Sequence, residues 1–283
     1  MISNYIFESL KLYKVKNLDQ FENVLRELVQ QITICALAKS GFFNKAAFYG
    51  GTCLRMFYRL GRFSEDLDFT VIKKGVDFNW NDYIGVCKTM LESFGLVAQI
   101  TAKEGYDNGE VRRRLIKIPY YELAKEYFGD VQMNKEKLLI VKLEISTEYT
   151  EGATYDVKTV VSPYFASVLC YDYSSLYAGK VCALLTRNWK NRVKGRDFYD
   201  YMFYLNHKGK LNMAYLQNKL RYSMDDNELT VNIEWVRKML VKLFDETDFE
   251  SVKEDILPFV NDDYYIDGIT KENFINSTEL VSD

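Results

Sequence analysis

Apolar and polar positions alternate most clearly in KLLIVKLEIS, Lys137 to Ser146. Leu139, Val141, Leu143 and Ile145 fall on one face, and Lys142, Glu144 and Ser146 on the other. That two-residue period predicts a half-buried strand. Upstream, Leu18, Phe21, Leu25, Leu28, Val29 and Ile32 recur at helical spacing. They predict one long helix over Asn17–Ser40, with Asn17 as N-cap and Gly41 in the left-handed position that follows. Ala46–Tyr49 is short, apolar and stopped by Gly50-Gly51, as a buried strand entering a tight turn would be. Thr52–Arg59 then reads as a helix, Asp66–Val71 as a strand, Asn81–Phe94 as a helix and Leu115–Pro119 as β-structure. Past Ser174 the period turns helical, near Ser175–Asn188, Arg196–Asn206, Met213–Tyr222, Thr230–Asp245 and Phe249–Val260. The pattern predicts an α+β fold: a mixed β-sheet with flanking helices in residues 1–172, followed by a C-terminal helical lobe in residues 173–283.

Composition narrows the class. The chain has 283 residues, 48% apolar and 27% charged, enough for a sizeable core. No run approaches the ~20 apolar residues of a membrane span, so a cytoplasmic protein without membrane contact is expected. Five widely spaced cysteines without a C-x-x-C pair read as reduced core residues. A single histidine, His207, argues against a His-based zinc site or a Ser-His-Asp triad. Net charge is −3, unevenly placed: twelve acidic and two basic residues give −10 over Leu243–Asp283, leaving +7 on the rest. A mildly basic body with an acidic C-terminal tail suits a polyanionic partner, and equally a plain solvated acidic face.

The chemistry concentrates in AFYGGTCLRMFYRLGRFSEDLDFTV, Ala47 to Val71. On a strand, Asp66 and Asp68 project to one face while Leu67 and Phe69 enter the core. Two adjacent carboxylates repel unless a cation or strong donors lie between them, and magnesium is often held by one or two carboxylates plus substrate phosphates. An exposed acidic pair at a strand end would look the same. Before it, Gly50-Gly51 lets backbone approach a ligand, a helix N-terminus offers N–H groups to an anion, and Thr52 adds a hydroxyl. Arg55, one turn on, either reaches a phosphate or snorkels. Together the two elements suit the triphosphate and the magnesium of one nucleotide.

YGGTCLRMFYRLGRFSEDLDF resembles the signature of the AbiEii/AbiGii-type nucleotidyltransferase toxins, a branch of the DNA polymerase β-like nucleotidyltransferase superfamily. Gly50, Gly51 and Thr52 match the glycine turn, and Asp66 and Asp68 the D-x-D, with Ser64 just before it. Glu144 in KLEIS is the candidate third carboxylate. LYAGKVCALLTRNWKNRVKGRDFYDYMFYL, Leu176 to Leu205, resembles the late element of the same family. Lys180, Arg187, Arg196, Asp197 and Asp200 occupy its places. From spacing alone, Lys180 and Arg187 share one side of a helix, and Arg196 and Asp200 fit a plain i,i+4 ion pair. The resemblance runs from about Val29 to Leu205.

It implies a nucleotidyltransferase-like sheet and transfer of an NMP from an NTP to an acceptor, with pyrophosphate released. Asp66, Asp68 and Glu144 would hold Mg2+, two ions, with Mn2+ as the alternative, and Glu144 would help activate the acceptor hydroxyl. Gly50, Gly51, Thr52, Arg55, Ser64, Arg187 and Arg196 would contact the nucleotide, and Lys180 would approach its triphosphate. Asp197 and Asp200 would position the nucleotide, Lys180 or the acceptor. The implied acceptor is the tRNA 3′ end, and the implied partner is a separate winged-helix antitoxin of a toxin–antitoxin or abortive-infection system. The basic stretch Arg187–Arg196, with Trp189 for stacking, suits an RNA backbone or a solvated loop. Three other readings stand beside this one: a small-molecule nucleotidyltransferase of the aminoglycoside-modifying kind, a non-catalytic nucleotide-binding partner, and a purely structural or interaction protein in which Lys180, Arg196, Asp197 and Asp200 are chance surface residues.

Overall fold

The computed structural model describes residues 4–102, 109–187, 193–260 and 266–283. It divides into two compact units. The first holds Met1–Cys53, Ser64–Tyr149 and Val157–Cys170, and the second Leu54–Phe63, Thr150–Asp156 and Tyr171–Asp283.

The first unit opens with α1 (Asn4–Leu12) and α2 (Leu18–Lys39). Asn17 caps α2 by accepting the Gln20 N–H at 2.9 Å, and Gly41 turns the chain beyond it at φ +76°. A mixed seven-stranded sheet follows, in the order β3-β4-β5-β2-β1-β7-β6. Its strands are β1 (Ala46–Tyr49), β2 (Asp66–Val71), β3 (Gln99–Ala102), β4 (Val111–Pro119), β5 (Leu138–Ser146), β6 (Tyr155–Val160) and β7 (Ala166–Tyr171). β1 runs antiparallel to β2, β2 parallel to β5, and β5 antiparallel to β4. The predicted alternation is realised in β5, where Leu139, Val141, Leu143 and Ile145 are all buried. With Leu67, Phe69 and Val71 of β2 they form the buried side of the sheet. α3 (Gly50–Tyr58), α4 (Asn81–Ser93) and α5 (Tyr121–Phe128) are set between strands, and the division between units falls inside α3.

The second unit is dominated by α6 (Tyr173–Thr186), α7 (Gly195–Asn206), α8 (Met213–Met224), α9 (Ile233–Glu246), α10 (Phe249–Ile256) and α11 (Lys271–Ser277). Its core is aromatic. Tyr177 stacks on Tyr204 with centroids 4.6 Å apart, and Phe198, Tyr201, Phe244 and Phe274 pack edge-on and tilted around each other. The acidic C-terminal stretch is not a free tail. Phe244, Val252, Ile256, Ile269, Phe274 and Val281 are buried, and Arg237 donates to the carbonyl of Val281 at 2.8 Å. Glu246, Glu250, Glu254, Glu272 and Glu279 are exposed on these packed elements, which is why the charge pattern alone resembled a tail. Among the described residues no helix is long and apolar enough to cross a membrane. All five cysteines are buried and unbridged.

Candidate active site

β1 ends at Tyr49 and α3 begins at Gly50. Gly50 sits at φ +83°, a backbone conformation that costs an L side chain about 1–2 kcal/mol. A Cβ at this position would also collide with the Asp68 carboxylate. Glycine is therefore what allows the turn to lie directly against Asp68. Thr52 is buried and donates its hydroxyl to the backbone carbonyl of Asp66, tying the first turn of α3 to the start of β2. That proton is thus engaged on the backbone and not on offer to a phosphate. Ser64 is held through its carbonyl, which accepts from Gln30 Nε2 at 3.0 Å.

Asp66 and Asp68 are both half-buried, while Leu67 between them is fully buried. The parallel register sets Asp68 beside Glu144 and Asp66 beside Lys142. Lys142 Nζ lies 3.2 Å from Asp66 Oδ1, outside hydrogen-bond alignment, and that buried oxygen receives no hydrogen bond. Glu144 goes elsewhere: β4 places Arg113 opposite it, and Arg113 Nε stands 2.7 Å from its Oε1. Among the described residues no three carboxylate, histidine or cysteine side chains gather as a metal site. The expected three-carboxylate arrangement is therefore not assembled: two aspartates form a pair, and Glu144 belongs to Arg113. The pair itself suits magnesium, whose shell takes one or two protein carboxylates and fills with water and phosphate oxygens. The buried Asp66 oxygen, which Lys142 meets as an ion pair without hydrogen-bond alignment, is one that such a cation would engage.

The second unit holds a denser cluster. Asp200, fully buried, receives Arg62 through both oxygens, from Nε and Nη2 at 2.7 Å each. Lys180 Nζ stands 2.8 Å from Asp200 Oδ2 and 2.6 Å from Asp197 Oδ1, and Arg187 pairs with the other oxygen of Asp197. Three cations thus face two carboxylates, a net charge of +1. Burial pushes the Asp200 carboxyl up, but Arg62 and Lys180 outweigh it and hold it below the usual carboxylate range. Burial pushes the Lys180 ammonium below its ordinary value, and Asp200 opposes that shift.

The model of one family, described as the nucleotidyl transferase AbiEii toxin of type IV toxin–antitoxin systems, matches residues 33–272. The chain belongs to the AbiEii nucleotidyltransferase toxin family. No curated protein matches it in sequence. Among solved structures it is similar to MenT4, the nucleotidyltransferase toxin Rv2826c from Mycobacterium tuberculosis H37Rv, at 14% identity and a TM-score of 0.54 over 96% of this chain and 89% of that one. It is also similar to JHP933 from Helicobacter pylori, at 18% identity and a TM-score of 0.52 over 92% and 91% of the two chains. A putative nucleotidyltransferase from H. pylori matches at 19% identity and 0.51 over 92% of each. At these identities the likeness establishes the nucleotidyltransferase-like fold alone. The family match continues to residue 272, past the Leu205 where the sequence motifs stop, so α8 to α10 belong to the family's body.

Within this AbiEii-family toxin, the sequence-derived residues divide by environment. Gly50, Asp66 and Asp68 come together at the turn. Lys180, Arg187, Asp197 and Asp200 come together in the second unit. Arg55 is engaged elsewhere. Its guanidinium donates to the carbonyls of Leu60 and Arg62 at 3.0 and 3.2 Å and covers the Phe63 ring at 4.1 Å. It builds the turn that carries Arg62. Arg196 lies over the Phe259 ring at 4.1 Å, while the Asp200 carboxylate it was expected to pair with is occupied by Arg62 and Lys180. Trp189 lies outside the described residues. Sequence reasoning missed Arg62 and Arg113. Nothing local marks Arg62, whose partner is 138 positions away. Arg113 could have been found by pairing the two predicted strands.

Proposed function

We propose that this nucleotidyltransferase moves an NMP from an NTP to the 3′ end of an RNA, tRNA foremost, releasing pyrophosphate with Mg2+ bound. The observation that carries the reading is the Asp66–Asp68 pair set against the Gly50 turn, two half-buried carboxylates on one face of β2. Asp66 and Asp68 would hold the ion, which when bound neutralises the phosphate oxygens that an attacking hydroxyl must approach. The turn and the first N–H groups of α3 offer a close, positively polarised surface to phosphate. Glu144, beside Asp68 in the register and ion-paired to Arg113, is the carboxylate assigned to the acceptor hydroxyl's proton. In the second unit Asp197 and Asp200 act by holding Lys180 in place. Membership of a type IV toxin–antitoxin family implies an antitoxin. A winged-helix regulator as that antitoxin, cytoplasmic action and a role in abortive infection belong to the same proposal.

The test is label transfer from each α-labelled NTP onto total tRNA with Mg2+, for wild type and Asp68→Ala. Label on tRNA from wild type alone is the expected result. Pyrophosphate release onto a small acceptor with none on RNA would move the acceptor to the small-molecule class. No transfer from any NTP to either class would overturn the reading.

A further inference from the structure

A cavity of about 530 Å³ lies within the second unit between the C-terminal end of α3 and α7, and none of Arg62, Lys180, Asp197 or Asp200 lines it. Its walls include the rings of Tyr58, Tyr199, Phe203 and His207, and its polar groups include Arg59 and Asn206. Apolar rings with a few polar groups at their rim are the usual make-up of a site for a flat ligand, and this volume accommodates a nucleoside.

Three details give the cavity a chemistry. His207 Nδ1 lies 2.9 Å from the carbonyl of Phe203 and donates to it, which leaves Nε2 as the ring nitrogen not used in that bond. The same imidazole lies over Phe203, centroids 4.1 Å apart and tilted by 31°, so the stack is already begun. Gly61 lets the wall close in, since a Cβ there would come within 2.8 Å of the Tyr199 hydroxyl.

Arg59 is the most informative residue. It follows the last residue of α3 at φ +62°, the left-handed position where glycine or asparagine is the default. Arginine there carries a backbone penalty that glycine would remove. Its side chain is exposed and makes no hydrogen bond or ion pair among the described residues, so nothing internal offsets the strain. An arginine held in a strained position at the mouth of an aromatic cavity is suited to a planar ligand carrying an anion.

Resting on the nucleotidyltransferase reading, we propose that this cavity binds a nucleobase together with its attached phosphate. The base stacks in the Phe203–His207 wall, Asn206 and His207 Nε2 read its edge, and Arg59 takes the phosphate. A free nucleotide and the end of an RNA strand share that chemistry.

The test is calorimetric titration of the full chain without divalent ions, using the four NMPs, ribose 5-phosphate as the baseless control, and a six-nucleotide single-stranded RNA. At least one NMP should bind tenfold or more tighter than ribose 5-phosphate. Phe203→Ala and Asn206→Ala should each weaken it, Phe203→Ala by about tenfold, the scale of one lost base stack. Arg59→Gly should weaken it by a similar factor while leaving the melting temperature equal or higher, which a merely structural arginine would not do. Tighter binding of the RNA, in competition with NMP, assigns the cavity to a strand end; NMP binding without competition assigns it to free nucleotide. Equal binding of ribose 5-phosphate, or wild-type affinity in both Phe203→Ala and Arg59→Gly, overturns the proposal. Asp68→Ala, which should lose transfer, should keep this binding. Failure of the cavity and failure of the enzymatic reading are therefore separate results.

Discussion

The two charged constellations of this chain are built in opposite ways. At the glycine turn, Asp66 and Asp68 are half-buried neighbours of like charge, and Lys142 Nζ stands 3.2 Å from one Asp66 oxygen without hydrogen-bond alignment. In the second unit, Asp197 and Asp200 are buried, and cations meet both oxygens of each. Like charges kept side by side are a cost to folding that a bound cation would reduce. Carboxylates saturated by arginine and lysine are already satisfied, and hold their partners in place. The first arrangement keeps its carboxylates half-exposed on one face of a strand, and the second buries them among cations of its own unit.

This difference makes the two sites separable by mutation. The largest expected effect is on activity: Asp68→Asn should lower transfer by about 10³-fold or more while leaving thermal unfolding near wild type, since it relieves repulsion. Wild-type transfer by that variant would erase the distinction. Next is stability: Asp200→Ala leaves Arg62 buried without its partner and should cost about 3–5 kcal/mol in denaturant unfolding. A loss under about 1 kcal/mol would mean the cluster is not what holds the unit. Gly50→Ala sits between the classes, with about 1–2 kcal/mol from the left-handed backbone and an added loss of transfer from displacing Asp68. If its activity falls no further than its stability explains, the close approach of the turn to Asp68 is incidental.

The smallest effect sharpens the comparison through pH. Asp200 binds its proton less tightly folded than unfolded, because Arg62 and Lys180 overcome the burial that pushes it up. Its contribution is therefore fully present above the ordinary carboxylate value, about 3.9, and is lost as pH falls through the depressed folded value. Melting temperatures taken from neutral pH down to about 2.5 should show that acid-side loss in wild type. Asp200→Asn should lack this component, and an unchanged profile in the variant would remove Asp200 as its origin.

The central strands and the turn were legible because their signals are local. Ala46–Tyr49 and Asp66–Val71 are strands at the predicted residues, and Asn17 caps the predicted helix. Short or irregular elements were not. α5 has 8 residues and α11 has 7, too few for a period to stand out, and β6 shows no clean alternation of burial. At the candidate site, the pairing of Asp66 with Asp68 follows from strand period alone. The destination of Glu144 does not, because Arg113 arrives on another strand. The backbone partners of Arg55 and Thr52 were not legible for a related reason: the carbonyls they bond are brought to them only once the turn has folded. The bonds around Asp200 join residues 62, 180 and 200, and no window of sequence contains them.

The most direct test sets Asp68→Asn beside Asp200→Asn and measures, for each, label transfer from α-labelled NTP to RNA and the melting temperature. Asp68→Asn is expected to be folded and inactive with a wild-type melting temperature, and Asp200→Asn to melt at a lower temperature. Undiminished transfer in Asp68→Asn, or an unchanged melting temperature in Asp200→Asn, would contradict that expectation.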